Sequence, residues 1–262
     1  MYLLCLFHHL LRPVTPCLRA VAAAVWGALS VFFWVAGVHA APAVFKDDMA
    51  QRTQACTTCH GAQGRAGPDG YYPRIAGKPA DYLYAQLLHF RDGRRTYAPM
   101  AHLLEPLGND YLRDMAQHFA TLSVPYAAPV PVPVSADALK RGQQLAQHGD
   151  PARQLPACTQ CHGAALTGVL PATPGLLGLP RDYLNAQLGA WRNGLRRAHA
   201  PDCMADIAQR LNQADVSAVS GWLASQPLPA RTQPAPASRQ PLPLDCGHPG
   251  GPAKTAQAGG QP

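Results

Sequence analysis

Between Asp81 and Phe90 the positions Tyr82, Leu83, Gln86, Leu87 and Phe90 fall at the spacing of one helix face, and Gly93 ends the run. Pro79 suits the first position of that helix, where the missing N–H costs nothing. The same arrangement returns from Tyr183 to Trp191, with Pro180 ahead of it and Gly194 as the stop. A further helix follows each of these: Asn109 is expected to cap Asp110 to Leu122, and Asn212 to cap Gln213 to Ser225. Another precedes each, over roughly 45–55 and 135–147. No strong period-two alternation is present, so the predicted class is all-α.

These helices belong to a repeat. Cys56-Thr57-Thr58-Cys59-His60-Gly61-Ala62 returns as Cys158-Thr159-Gln160-Cys161-His162-Gly163-Ala164. Asp81-Tyr82-Leu83-Tyr84-Ala85-Gln86-Leu87 returns as Asp182-Tyr183-Leu184-Asn185-Ala186-Gln187-Leu188. Between them, Pro73 to Pro79 matches Pro174 to Pro180, with offsets of 101 to 104 residues throughout. A repeat at that period predicts two similar domains, over 41–124 and 137–226. Residues 125–136 carry Pro125, Pro129, Pro131 and Pro133 and read as an extended linker, or as an ordinary surface loop.

The two ends of the chain follow other rules. Arg12 and Arg19 precede an uncharged apolar stretch from Ala20 to Val38, and Val38-His39-Ala40 offers a small-residue cleavage site. Residues 1–40 are therefore expected to be an export signal; retention as an uncleaved membrane anchor is the alternative. Export implies an oxidising compartment such as the periplasm. Residues 227–262 are dominated by Pro, Ala, Gln and Gly with no apolar period, so a disordered tail is expected. The formal net charge is +7, but the basic residues are scattered, and nucleic acid is not an expected partner.

The chemistry lies in the two Cys-x-x-Cys-His motifs. Thiols at i and i+3 stand on one side of a single helical turn, where they can add to the two vinyl groups of one haem. The adjoining His60 or His162 then offers its imidazole to the iron. A zinc knuckle would need two Cys pairs folded together, and a redox dithiol would need a strand ahead of a helix. Covalent attachment of two haem c groups through Cys56, Cys59, Cys158 and Cys161 is the expectation that accounts for both copies. Met100 and Met204 stand 40 and 42 residues after His60 and His162, at equivalent places in the expected loop between the second and last helices of each copy. As thioether donors they are the expected sixth ligands, with core packing as the bland alternative and His102 and His199 as nearby competitors. Met49 and Met115 are assigned to other roles, Met115 to the core.

Other features are less specific. A carbonyl near Pro73 or Pro174 is expected to accept the ring N–H of the iron-binding His. Gly142 is expected to let the helix of Trp222 approach closely. Arg91, Arg94, Arg95, Arg192, Arg196 and Arg197 form a matched basic feature that suits haem propionates, an acidic partner or plain solvent. Cys203 and Cys246 remain after haem attachment, and a disulfide between them is expected in an oxidising compartment, with Cys203 as an iron ligand the remote alternative.

From about Phe45 to Gln226 the chain resembles the dihaem cytochromes of the c-four type, through both Cys-x-x-Cys-His motifs, the repeated Asp-Tyr-Leu-x-Ala-Gln-Leu stretch, Met100 and Met204. The resemblance implies tandem class I cytochrome c domains related by a pseudo-twofold axis, and His/Met ligation of both irons. It implies an electron carrier rather than an enzyme, moving electrons in the periplasm between a respiratory donor and a terminal oxidase or other acceptor. Redox partners would be a membrane oxidase, a bc-type complex or a periplasmic dehydrogenase, with membrane association only through the N-terminus. Departures are the long Pro-rich tail, Cys203, and the missing Gly in the first helix of the first copy. A dihaem peroxidase is the enzymatic alternative, and a haem subunit of a larger complex the third.

Overall fold

The computed structural model describes residues 47–67, 70–129, 133–238 and 241–247. The expected signal segment lies outside the described residues. The first lobe is built from α1 (Met49–Arg52), α2 (Gln54–His60), α3 (Ala80–Arg91), α4 (Ala98–Leu104) and α5 (Asn109–Thr121). The second contains α6 (Ala136–Gln147), α7 (Cys158–His162), α8 (Arg181–Arg192), α9 (Cys203–Arg210) and α10 (Gln213–Ser225). The only strands among the described residues are the two-residue pair β1 (Gly168–Val169) and β2 (Thr173–Pro174), antiparallel.

Each lobe closes over its own apolar cluster. In the first, Leu83 and Tyr84 of α3 meet Leu112, Met115, Ala116 and Phe119 of α5, with Leu104 of α4. In the second, Ala146 of α6, Leu184 of α8 and Val219, Trp222 and Leu223 of α10 form the equivalent layer. Met115 is a core residue, as expected. Asn212 caps α10 as predicted, its Oδ1 accepting from Asp215 N at 2.8 Å. Asn109 does not cap α5: it is the first helical residue, and Gly108 holds the cap position with no side chain to offer. Pro79 and Pro180 likewise stand one residue earlier than expected, at the caps of α3 and α8.

Helices α6 and α10 cross at Gly142. A Cβ built there would lie 2.2 Å from Ala218 O and 2.7 Å from Trp222 Cβ, so the side chain's absence is what permits the approach. We expect Gly142→Val to destabilise the second lobe by ~1–3 kcal/mol, the overpacking range. Denaturant unfolding of the holoprotein checks this, and an unchanged midpoint would contradict it. A buried Asp215 ties the same helices to the segment before α7: Arg141 Nε and Arg153 Nη1 donate to it at 2.9 and 2.7 Å, and both arginines also reach Asp150. Burial alone would raise the Asp215 pKa, but the hydrogen bonds from Arg153 and Arg141 outweigh it and hold the carboxyl below its ordinary range.

The tail holds no helix among its described residues, yet its first part does not leave the surface. Leu228 packs on the second-lobe core. Ala235 N donates to Gly168 O at 2.8 Å and Leu170 N donates to Ala235 O at 2.9 Å. A Cys203–Cys246 disulfide, with Cα atoms 5.3 Å apart, then pins the chain beside α9. The expectation of disorder was drawn from composition, and composition is blind to these backbone bonds and to the cross-link. Residues 248–262 lie outside the described residues.

The lobes meet along matched segments. Thr96 N donates to Leu195 O and Arg197 N to Arg94 O, both at 2.7 Å, so Arg95 and Arg196, which correspond in the repeat, pair across the junction.

Candidate haem sites

The turn that bears each Cys-x-x-Cys-His motif is helical, and each ends on a glycine with positive φ, Gly61 at 74° and Gly163 at 83°. At Gly61 the backbone folds back so far that a Cβ would lie 2.4 Å from Ala66 O, while Ala66 N donates to His60 O at 2.7 Å. Only glycine fits, and the tight reversal carries the chain into the loop that ends at Pro73.

That loop meets the imidazole. His60 Nδ1 lies 2.8 Å from Pro73 O, and His162 Nδ1 lies 2.8 Å from Pro174 O. A carbonyl can only accept, so each neutral ring carries its proton on Nδ1 and keeps a lone pair on Nε2. Burial lowers the pKa of both rings, and this outweighs the opposing pull of the proline carbonyls. The rings are thus held neutral, in one tautomer and one orientation, which is the form a metal needs. The sequence had suggested a carbonyl near each proline; the structure identifies the proline's own.

Cys56, Cys59, Cys158 and Cys161 are free thiols, and neither motif forms an internal disulfide. Burial, followed by the neighbouring sulfur, pushes Cys56 and Cys158 up to about 11. Such thiols are poor attacking thiolates at neutral pH, which weighs against a redox dithiol. The two motifs stand in separate lobes, so the zinc-knuckle alternative lacks its second Cys pair. Met100 packs with Cys56 against the first-lobe core. Both methionines lie in short helices, Met100 in α4 and Met204 in α9, where the sequence had suggested loop. Tyr97 precedes α4 and Asp202 caps α9, its Oδ1 accepting from Ala205 N at 3.0 Å. Met204 adjoins the Cys203 end of the disulfide.

Between the lobes, Arg95 and Arg196 are only 9% and 4% exposed, and neither has a carboxylate partner among the described residues. They donate instead to neutral groups of both lobes. Arg95 reaches Gln86 at 3.0 Å, Tyr183 Oη at 3.1 Å and Gln187 at 2.5 Å. Arg196 reaches Gln187 at 2.8 Å, Tyr82 Oη at 3.3 Å and Gln86 at 2.8 Å. Arg196 also lies over the Trp191 ring at 3.8 Å, and Trp191 Nε1 is buried without a hydrogen-bond partner. His89 Nε2 is in the same position, and burial, then His199 and the nearby arginines, brings His89 down to about 4. Two buried cations and two unpartnered ring nitrogens fit a group that carries carboxylates, as the propionate-bearing edge of a haem does. Of the six arginines singled out in the sequence, only these two are buried. Their Tyr and Gln partners stand at i and i+4 of the repeated stretch.

Sequence reasoning also missed an aromatic group beside the first motif. Tyr72 lies 6.0 Å from the His60 ring, Tyr71 4.9 Å from Tyr72, and Tyr97 6.4 Å from Tyr71. It missed Lys78 as well.

No family profile matches the chain. It is 37% identical over 218 residues to the thiosulfate dehydrogenase electron acceptor of Thiomonas intermedia, covering 83% of this chain and 95% of that one. It is 34% identical to cytochrome c4 of Pseudomonas aeruginosa over 172 residues, 64% of this chain and 82% of the other. Among solved structures, reduced cytochrome c4 from Pseudomonas stutzeri superposes with a TM-score of 0.57 at 29% identity, covering 66% of this chain and 94% of that one. A thiosulfate dehydrogenase from Marichromatium purpuratum superposes with a TM-score of 0.60 at 34% identity; 66% of this chain matches and 36% of that longer one.

Proposed function

Since the chain belongs to the c4-type dihaem cytochromes, we propose that it accepts electrons from a thiosulfate-oxidising dehydrogenase in the periplasm and passes them to a terminal oxidase or equivalent acceptor. The protein is an electron carrier rather than an enzyme, with two covalently bound haem c groups. Bound haem supplies a one-electron ferrous–ferric couple.

The residues divide the work as follows. Cys56 and Cys59 hold one haem by thioether bonds, and Cys158 and Cys161 the other. His60 and His162, fixed by the Pro73 and Pro174 carbonyls, would offer Nε2 to the irons, and Met100 and Met204 would supply the thioether ligands. Arg95 and Arg196 take the propionates between the lobes. The observation that carries this reading is the repeated histidine geometry: the same 2.8 Å bond fixes the same tautomer twice, each time directly after a Cys pair. With these residues supplying the iron ligands, each bound haem would serve one-electron transfer and would leave no open position for a substrate. A leader that is cleaved after Ala40, and a linker over 125–136 between domains 41–124 and 137–226, complete the reading.

The dehydrogenase is proposed because two relatives carry its electron acceptor's name and a solved dehydrogenase chain contains a similarly folded region. Mixing the oxidised holoprotein with such a dehydrogenase and thiosulfate should reduce both haems within the enzyme's turnover time, read at the haem α band. No reduction would sink the partner assignment. Met100→Ala and Met204→Ala should each abolish about half of the weak far-red band of Met–iron bonding, and a full band in either variant would remove that methionine from the ligand set.

A further inference from the structure

A haem with a histidine on one face and a methionine on the other must lie between the loop that follows the histidine and the helix that carries the methionine. Whatever spans those two elements stands at the mouth of the pocket, and the lobes differ there. In the first lobe the span is aromatic. Tyr71 and Tyr72 belong to the histidine loop, Tyr97 stands immediately before α4, and the rings of Tyr71 meet those of Tyr72 and Tyr97 at 4.9 and 6.4 Å. Tyr71 is 62% exposed, the most of any large apolar side chain among the described residues. Cys59 is exposed as well, and its sulfur bears on Tyr97.

The repeat places Ala172, Thr173 and Ala198 at the matching positions of the second lobe, none with a ring to offer. There the tail makes the span instead. Ala235 pairs with the histidine loop, its N–H donating to Gly168 O and its carbonyl accepting from Leu170 N. Cys246 is bonded to Cys203 at the start of α9, and Gly247 N donates to Pro201 O at 2.8 Å. Gly247 lies so close to the chain ahead of α9 that a Cβ would stand 2.4 Å from both His199 O and Ala200 O. Cys161, the counterpart of Cys59, is half-buried. Among the described residues the first lobe has no such cover. The chain that leaves α5 runs to the second lobe, where Tyr126 sits against Gly178.

We propose that the tail, anchored at Ala235 and Cys246, closes the mouth of the second haem pocket, and that the dehydrogenase docks on the first lobe over Tyr71, Tyr72 and Tyr97. The inference rests on the partner and the ligand set proposed above. Electron transfer falls steeply with distance, so the enzyme must bring its reduced centre to the side where a haem edge comes nearest to solvent. The exposed Cys59 marks that side in the first lobe, and the tail occupies it in the second. Exposed tyrosines are the residue type on which protein interfaces concentrate their binding energy. One electron moves per encounter, from the reduced enzyme, which thiosulfate recharges, to the ferric haem of the first lobe.

Two variants of the full-length holoprotein test the two halves. Tyr71→Ser/Tyr97→Ser removes the rings, and Ala235→Pro/Cys203→Ser/Cys246→Ser releases both anchors of the tail. Haem content is read first in each. Calorimetric titration with the resting dehydrogenase, without thiosulfate, reads docking apart from electron flow. The Kd should rise about tenfold in the tyrosine variant, the loss of one interface hot spot, while reduction by ascorbate keeps its native rate. Releasing the tail should speed reduction of one haem by ascorbate several-fold and leave the Kd within about twofold of native. An unchanged Kd in the tyrosine variant would remove the docking face, and so would an ascorbate rate that falls with it. If that variant instead turns a native dimer into a monomer, the face belongs to a second copy of this chain. An unchanged ascorbate rate after tail release would show that the tail covers nothing. Failure of the native chain to bind the dehydrogenase or to be reduced by it sinks the partner assignment, and the ascorbate arm then decides the cover alone.

Discussion

Replacing Cys158 and Cys161 together by serine should cut the haem content from two per chain to one and leave the second lobe unable to hold its fold at the native melting temperature. Serine offers no thioether, so covalent attachment fails whatever His162 does. The structural loss is also large. Cys158 packs against the second-lobe core, and His162, buried and neutral, is aimed by Pro174 at a metal that would no longer be tethered. A group that binds the folded lobe far better than the unfolded one contributes its binding free energy to stability. Haem counted as pyridine haemochromogen per chain should fall by half, and calorimetry should show the second-lobe transition shifted down or lost. Two haems per chain in this variant would refute the attachment. The matching change at Cys56 and Cys59 should affect the first lobe alone.

The second large effect is expected from Cys246→Ser. The Cys203–Cys246 bond closes a loop of 43 residues that contains α9, α10 and the described part of the tail. Chain-entropy arguments assign a loop of that size about 4 kcal/mol, and native disulfides typically deliver ~2–4 kcal/mol. The loss should appear in the second-lobe transition during denaturant unfolding, without change in the first. Because Cys203 immediately precedes Met204, part of the far-red band should weaken as well. An unshifted transition together with an intact band would show that the cross-link only tethers the tail.

Much of this was legible in the sequence because it is local. The Cys-x-x-Cys-His turn, the glycine after it, the Asn212 cap and the glycine at the α6–α10 crossing are each set by residues a few positions apart, or by the absence of a side chain. Asn109 shows where local reading slips: an Asn can sit at the cap or one residue inside, and with Gly108 ahead of it the backbone began one residue sooner. Met100 and Met204 were singled out by their place in the repeat, but the short helices that carry them, α4 and α9, were not foreseen. Proline is tolerated in a first turn, where Pro99 stands in α4. Features made by residues about a hundred positions apart were out of reach. Nothing in the stretch around Lys78 reveals that its ammonium ends in the other lobe, although the departure from the repeat at Leu179 marks the position as unusual. The buried Arg95 and Arg196 were visible only as part of a larger basic group.

The pairing of Arg95 with its own counterpart Arg196 has a further consequence. An isologous contact of this kind is what two identical subunits would form about a dyad, and in such a homodimer every residue would be present on both sides. Joined in one polypeptide, the halves are free to differ, so Lys78 can face Gly175 at one end while Leu179 stays in its own core at the other. A contact that exists on one side only, between otherwise equivalent halves, is a feature that only the fused form can encode.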